Sequence, residues 1–302
     1  MEPRRHRGRR HPPRRRRPSR TEAVWLNGRI RDAAQALLPI TERGFLYGDG
    51  LFETVRAYQG RPFLLARHVA RLRSSARILS IPAPGSTSYW ARAVARVLAA
   101  NGIGDAAVRL TVTRGTAAGL DPPARPRPTV LVQARRLDAK LPVAQANGVS
   151  VCLLPFARGS GPFIELKILG YLPAVLGRYW ARRRKAYEAL YVTADGEVTE
   201  ATTANFFVVQ GDRLRTPGDG ILRGITRDLV ATLARRLGLR VEEKPVRRDA
   251  LRGAHEMFLT SSVVEILPVV RVDDRKIGTG IPGPVTRLLQ EAYRREVAKA
   301  TS

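Results

Sequence analysis

The chain has 302 residues, with 53 Lys+Arg against 26 Asp+Glu and a formal net charge of +27. That length suits one large or two ordinary domains, and 44% hydrophobic residues exclude a wholly disordered, collagen-like or disulfide-stapled chain. No stretch approaches the ~18 uncharged apolar residues of a membrane-spanning helix, and the one cysteine, Cys152, fits a reducing compartment. The expectation is a soluble, cytoplasmic protein with no membrane partner.

Residues 1–20 hold ten Arg, one Glu and four Pro with almost no apolar side chain, so a disordered basic tail is expected there. Met257 is the only methionine after Met1, and the tail reads either as a native arm or as a start-site artefact. A hairpin is expected over 24–30, turning at Asn27-Gly28, and a strand over 51–58, turning at Gln59-Gly60. Val69, Leu72, Ala76 and Leu79 predict an amphipathic helix over 66–79. A second helix over about 89–101 stops at Asn101-Gly102. Strands over 108–113 and 129–134 flank a Pro/Gly-rich loop at 115–128. Residues 136–148 read as a crossing between domains.

The second half opens with a strand over 149–155 and the loop Gly159-Ser160-Gly161-Pro162. A helix over about 171–187 follows. Hairpins are expected about Ala194-Asp195-Gly196 and Gly211-Asp212, the latter over 205–216. Helix 226–237 ends at Gly238, where a left-handed cap is easiest for glycine. Strands near 241–245, 256–260 and 267–271 lead to a last helix over 284–298. Strands interspersed with long helices predict two α/β or α+β domains. The division reads as a small N-terminal domain at 21–137, a linker at 138–148 and a larger C-terminal domain at 149–302.

Only six of the 53 Lys+Arg residues are lysines, so a lysine in an apolar setting stands out. Lys167 sits in Phe163-Ile164-Glu165-Leu166-Lys167-Ile168-Leu169. Burial lowers an amine's pKa and makes it nucleophilic, able to form a Schiff base as a guanidinium cannot. The plain alternative is a snorkelling lysine or one paired with Glu165. Glu200 precedes Ala201-Thr202-Thr203 and is either a solvated strand end or the partner of a cation such as a protonated pyridine nitrogen. Leu222-Arg223-Gly224-Ile225-Thr226 enters a helix, whose first-turn amides favour a phosphate. The plain reading there is an ordinary Thr cap. Thr260-Ser261-Ser262 is a second anion candidate, and Arg71, on an apolar helix, a third.

Six motifs stand in one order: Tyr47-Gly48-Asp49-Gly50-Leu51-Phe52-Glu53, His68-x-x-Arg71-Leu72, Lys167-x-x-Gly170-Tyr171-Leu172-Pro173, Glu200-x-x-x-x-Asn205-x-Phe207, Gly224-Ile225-Thr226-Arg227 and Phe258-Leu259-Thr260-Ser261-Ser262. Together they resemble the class IV (fold-type IV) pyridoxal-phosphate enzymes over residues 24–298. That family includes branched-chain and D-amino-acid aminotransferases, amine transaminases and 4-amino-4-deoxychorismate lyase. The resemblance implies a small N-terminal α/β domain and a larger pseudo-barrel domain in a homodimer, with pyridoxal 5'-phosphate between the domains. It implies that Lys167 holds the cofactor as a Schiff base and that Glu200 pairs with the ring nitrogen. Arg71, Gly224, Ile225, Thr226, Ser261 and Ser262 would serve the phosphate, Leu222 the ring face and Tyr171 the phenolic oxygen. No metal is implied. One departure is visible: Ile168 and Gly170 stand where the family usually has Ser or Thr and Asn.

Phe52, Thr54 and Arg56 share a strand face; Phe52, Arg56 and Arg114 are the substrate candidates, with Arg56 or Arg114 for a bidentate contact to a substrate carboxylate. The loop after Thr113-Arg114-Gly115 lacks the Arg-x-His pair common in D-amino-acid aminotransferases. The favoured activity is amino transfer between an amino acid or amine and a 2-keto acid. Aminodeoxychorismate lyase activity, releasing pyruvate and 4-aminobenzoate, is the alternative. A reading of another class is non-specific polyanion or nucleic-acid contact through residues 1–20; no aromatic residue interleaves those arginines.

Overall fold

A computed structural model describes residues 22–301. The basic tail lies outside the described residues. Two sheets organise the chain. The first has six strands: β1 (Ala23–Leu26), β2 (Arg29–Asp32), β3 (Gly50–Tyr58), β4 (Arg61–Pro62), β5 (Ala106–Thr113) and β6 (Val130–Arg136). They run β2-β1-β6-β5-β3-β4, antiparallel throughout. Helices α1 (Arg43–Tyr47), α2 (Leu65–Ile78) and α3 (Thr87–Asn101) accompany it. The three-to-four spacing of Leu65, Val69, Leu72 and Ala76 turns one stripe of α2 inward. That stripe packs with Leu51, Val55 and Ala57 of β3 and Trp90, Val94 and Leu98 of α3 in one core.

The second sheet has ten strands: β7 (Val149–Leu153), β8 (Glu188–Val192), β9 (Glu197–Ala201), β10 (Asn205–Gln210), β11 (Arg213–Thr216), β12 (Arg240–Glu243), β13 (Val246–Arg247), β14 (Glu256–Ser261), β15 (Glu265–Val272) and β16 (Arg275–Lys276). Its order is β12-β11-β10-β14-β15-β7-β8-β9-β13, with β16 on β15. The sheet is mixed, since β11–β12, β15–β7 and β7–β8 are parallel pairs. Helices α4 (Leu141–Asn147), α5 (Leu172–Arg183), α6 (Ile225–Arg236) and α7 (Pro284–Thr301) pack around it. β10 shows why its sequence is apolar without alternation. Phe206 and Val208 face one core, while Phe207 and Val209 face another beneath α6 and α7. A strand buried on both faces needs apolar residues at every step.

Several boundaries differ from the sequence reading. The crossing at 136–148 contains α4, whose Leu141 is buried. The strand expected to 155 ends at Leu153, and the last helix runs on to Thr301. The helix expected to 187 stops at Arg183, because Lys185 takes a left-handed φ of 54° and turns the chain back. Helix α1 is too short to leave a periodic signal. It is capped by Glu42, whose carboxylate accepts from the Phe45 amide, and closed by Gly48 at φ 67°.

Candidate active site

A cavity of about 420 Å³ draws its lining from both sheets, within the range of small-molecule sites. Lys167 reaches it through backbone pairing. The Phe52 amide donates to the Lys167 carbonyl at 2.9 Å, the Leu169 amide donates to the Gly50 carbonyl at 3.0 Å, and Leu51 bridges Ile168. This extended stretch alternates as a strand does. Leu166 and Ile168 pack on the first core, and Lys167 faces the cavity. Ile168 therefore has a structural reason to be apolar where the family usually has a hydroxyl.

The Lys167 Nζ stands 4.4 Å from the Phe52 ring centroid and 5.8 Å from that of Tyr171. Glu165 is exposed, and Lys167 forms no ion pair with a described carboxylate. Burial lowers the amine's pKa to about 8. Glu53 and Glu200 oppose the shift, and Arg71 and Arg158 assist it.

Glu200, at the buried end of β9, accepts from the Leu222 amide at 3.2 Å and from Asn205 Nδ2 at 3.4 Å. Its other oxygen binds Arg158. Burial raises the Glu200 pKa, and Arg158 and the Leu222 amide hold that rise back. Asn205 Nδ2 also donates to the Leu222 carbonyl at 2.9 Å. A Cβ on Gly224 would stand 2.0 Å from Asn205 Oδ1, so glycine is what lets this loop close against the strand end.

The phosphate candidates converge. Helix α6 begins at Gly224 with no side-chain cap, leaving its first-turn amides at the cavity. From α2, Arg71 Nη1 donates to the Arg223 carbonyl at 2.6 Å, while Nε and Nη2 grip Glu53 at 2.7 and 2.8 Å. Ser261 and Ser262 line the same cavity, as do Phe52, Tyr171, Leu222, Gly224, Ile225 and Thr226.

Two candidates lie elsewhere. Arg56 pairs with Glu265 at 3.1 Å and donates to the Val263 carbonyl at 2.7 Å. Arg114 binds Asp49 at 2.8 Å and the Leu79 and Ser80 carbonyls at 2.8 and 3.0 Å. Neither lines the cavity, because fixed partners hold both guanidiniums outside it.

Arg109 and Arg158, which the motifs do not contain, do line the cavity. Arg158 also donates to the Ile164 and Leu166 carbonyls at 3.0 and 3.2 Å, fixing the approach to Lys167. In the sequence it is one arginine among many in a glycine-rich loop. Arg109 carries a fainter signal, a charge inside the apolar run Ala107-Val108-Arg109-Leu110. It sits opposite Thr54 in the ladder, 3.6 Å over the Phe52 ring centroid, with no ion-pair partner among the described residues. Burial lowers its pKa.

The family model for Amino-transferase class IV matches residues 50–272. The chain belongs to the class IV aminotransferase family. It is 35% identical over 276 residues to a Methanocaldococcus jannaschii protein provisionally named a branched-chain-amino-acid aminotransferase, covering 90% of this chain and 95% of the relative. It is 34% identical to Bacillus licheniformis D-alanine aminotransferase, over 92% of this chain and 98% of that one. Bacillus subtilis aminodeoxychorismate lyase is 31% identical, over 91% and 94%. Among solved structures, the branched-chain amino acid aminotransferase of Thermobaculum terrenum, in its holo form with pyridoxal phosphate, superposes with a TM-score of 0.82. It is 27% identical, covering 93% of this chain and 95% of that one. The two-sheet architecture is that of fold-type IV, and the cofactor of this family member is pyridoxal 5'-phosphate.

The cavity fits that group by its donor set. It offers a desolvated amine, a buried carboxylate, uncapped helix amides and an arginine, chemically matched to an aldehyde, a ring nitrogen and a phosphate.

Proposed function

We propose that this chain transfers amino groups between an amino acid or amine and a 2-keto acid, with Lys167 as the residue that holds the cofactor and moves the proton. The observation that carries the reading is the Lys167 amine. It is desolvated, has no carboxylate partner among the described residues, and faces the cavity that also receives Glu200 and the start of α6. When bound, the cofactor supplies an electron-accepting ring that stabilises charge on the substrate carbon. Glu200 would pair with the ring nitrogen and hold its proton in place. Arg71, the amides of Ile225 and Thr226, and Ser261 and Ser262 hold the phosphate. Leu222 would pack on the ring, and Tyr171 would stand by its phenolic oxygen. With the cofactor in place, Lys167 Nζ would be the base that takes the proton from the substrate carbon and, for amino transfer, the acid that hands it on to the cofactor carbon.

For the substrate carboxylate the geometry favours Arg109 beside Phe52 over Arg56 and Arg114. A guanidinium at the cavity with no described carboxylate partner is suited to a bidentate contact. A second reading, aminodeoxychorismate lyase, is favoured by similarity to the Bacillus subtilis enzyme. Both reactions need Lys167 to take the proton from the substrate carbon, and only amino transfer needs it to deliver that proton to the cofactor.

A homodimer is part of the proposal. Leu37, Ile40, Phe45 and Tyr47 and, on α5, Leu172, Val175, Leu176 and Tyr179 are large apolar side chains left exposed. Gly48 meets Gly170 at the junction of these two stretches. Exposed apolar surface on this scale marks an association face. The proposed units are 21–137 and 149–302, joined through 138–148; β6 ends at Arg136 and β7 starts at Val149. The cytoplasm is the proposed compartment, in keeping with a free, buried Cys152. No helix among the described residues is long and apolar enough to cross a membrane.

The direct test is Lys167→Ala, followed by borohydride reduction and peptide mapping. Wild type should carry the reduced cofactor on the peptide containing Lys167, and the variant none. A covalent adduct retained at the same site in the variant contradicts the assignment.

A further inference from the structure

Two motif residues, Glu53 and His68, have no part in the chemistry above. Both are almost fully buried, and they sit directly behind the phosphate candidates. Glu53 Oε2 is 2.8 Å from His68 Nδ1, and His68 Nε2 is 3.3 Å from Ser262 Oγ. The same carboxylate accepts two hydrogen bonds from Arg71. We propose that His68 is a positioning residue that takes up a proton when the cofactor's phosphate seats, so that His68, anchored on Glu53, donates to Ser262 and Ser262 donates to the phosphate. The proposal rests on the reading of Arg71, α6 and Ser262 as the phosphate cup.

The proton positions follow from the partners. Burial would raise the Glu53 pKa, but Arg71 and His68 hold it at about 2, so Glu53 is a carboxylate that only accepts. The proton on His68 must therefore sit on Nδ1. The groups facing His68 are Glu53 from β3, Arg71 from α2 and Lys167 from the stretch beside β3, with Asp228 of α6 facing Arg71. Burial, with Arg71 and Lys167, lowers the His68 pKa against the pull of Glu53. Without phosphate the imidazole is neutral and Nε2 is bare. The Ser262 hydroxyl then donates to Nε2 and presents oxygen lone pairs to the cavity.

A phosphate dianion beside those lone pairs is poorly served. If the hydroxyl simply turned away, Nε2 would be left as a buried, unpaired acceptor, a costly arrangement. If His68 instead takes one proton from solvent, Nε2–H donates to Ser262 Oγ and Ser262 O–H donates to the phosphate. Every polar atom is then paired. The imidazolium lies between Glu53 and the dianion, and both favour its charge.

The experiment follows the imidazole nitrogens of the full chain by ¹⁵N NMR. There are four histidines in the sequence, and His68→Gln identifies the signals of His68. Cofactor-free protein is compared after addition of pyridoxamine 5'-phosphate or pyridoxamine, neither of which attaches to Lys167. With the phosphate ester, the His68 Nε2 signal should join that of Nδ1 in the protonated range; with pyridoxamine, His68 should stay a neutral Nδ1–H tautomer. In parallel, the Kd for the phosphate ester should rise with pH more steeply in wild type than in His68→Gln, by up to tenfold per pH unit. Ser262→Ala should abolish the difference. A His68 that stays neutral with the phosphate ester bound overturns the proposal and leaves the cup intact; if His68→Gln does not fold, replacing His6, His11 and His255 leaves His68 as the one imidazole in the spectrum. Equal affinity for the two ligands overturns the cup, and the proposal with it.

Discussion

Lys167 owes its chemistry to where its backbone is pinned. Pairing with β3 through Phe52 and Gly50 leaves Leu166 and Ile168 on the first core, so the amine must enter the cavity. There burial brings its pKa to about 8. The neutral amine attacks an aldehyde, so the fraction available rises as pH rises through that value. Reconstitution of cofactor-free protein should quicken with pH and level off above about pH 8, followed by stopped-flow absorbance. A rate still climbing steeply toward the ordinary lysine pKa, near ~10.4, would contradict this. Arg71 gives Nε and Nη2 to Glu53, and its Nη1 is turned to the start of α6 through the Arg223 carbonyl. Arg71→Ala should weaken the cofactor Kd by roughly ten- to over a hundredfold, since a hydrogen bond to a charged group contributes about 1.5–3 kcal/mol. An unchanged Kd would move the phosphate elsewhere.

At the scale of elements, the site depends on tying a helix start to a strand end. Asn205 does this, joining Glu200 of β9 to the Leu222 carbonyl before α6. Gly224→Ala would press a methyl against Asn205 Oδ1, and displacing that side chain breaks the tie. The loss of a buried hydrogen bond costs about 1–3 kcal/mol. The variant should show a lower Tm and a cofactor Kd weaker by about tenfold or more; wild-type values for both would show that the loop closes without the tie. Much of this was legible in the sequence. Glycines, Asn205 and the Thr226 helix start signal themselves because few residues tolerate those positions, and helices such as α2 repeat over several turns. Arg109 and Arg158 were harder to read. Each depends on contacts between distant segments, and nothing local separates them from the chain's other arginines. Arg114 shows the converse, a candidate arginine whose partner Asp49 lies 65 residues away in sequence and holds it off the cavity. The end of α5 was missed for a third reason, since a left-handed Lys185 has no sequence signature.

For the whole molecule, neither sheet makes the site alone. The first sheet with α2 contributes Phe52, Arg71 and Arg109, and the second with α6 and the end of β14 contributes Glu200, Thr226 and Ser262, with Lys167 on the stretch that pairs with β3. Cavity formation is thus coupled to the docking of the two sheets through that stretch. The proposed dimer face on α1 and α5 adjoins it at Gly48 and Gly170. The proposed cofactor contacts would serve amino transfer and elimination alike, so the reaction itself has to be measured. The decisive measurement is the visible absorbance of the loaded full chain, mixed with single amino acids and amines of both configurations and then with a 2-keto acid. Amino transfer predicts that a donor converts the spectrum to that of the aminated cofactor and that the keto acid restores it. No conversion with any amino donor, together with release of pyruvate and 4-aminobenzoate from aminodeoxychorismate, would contradict it.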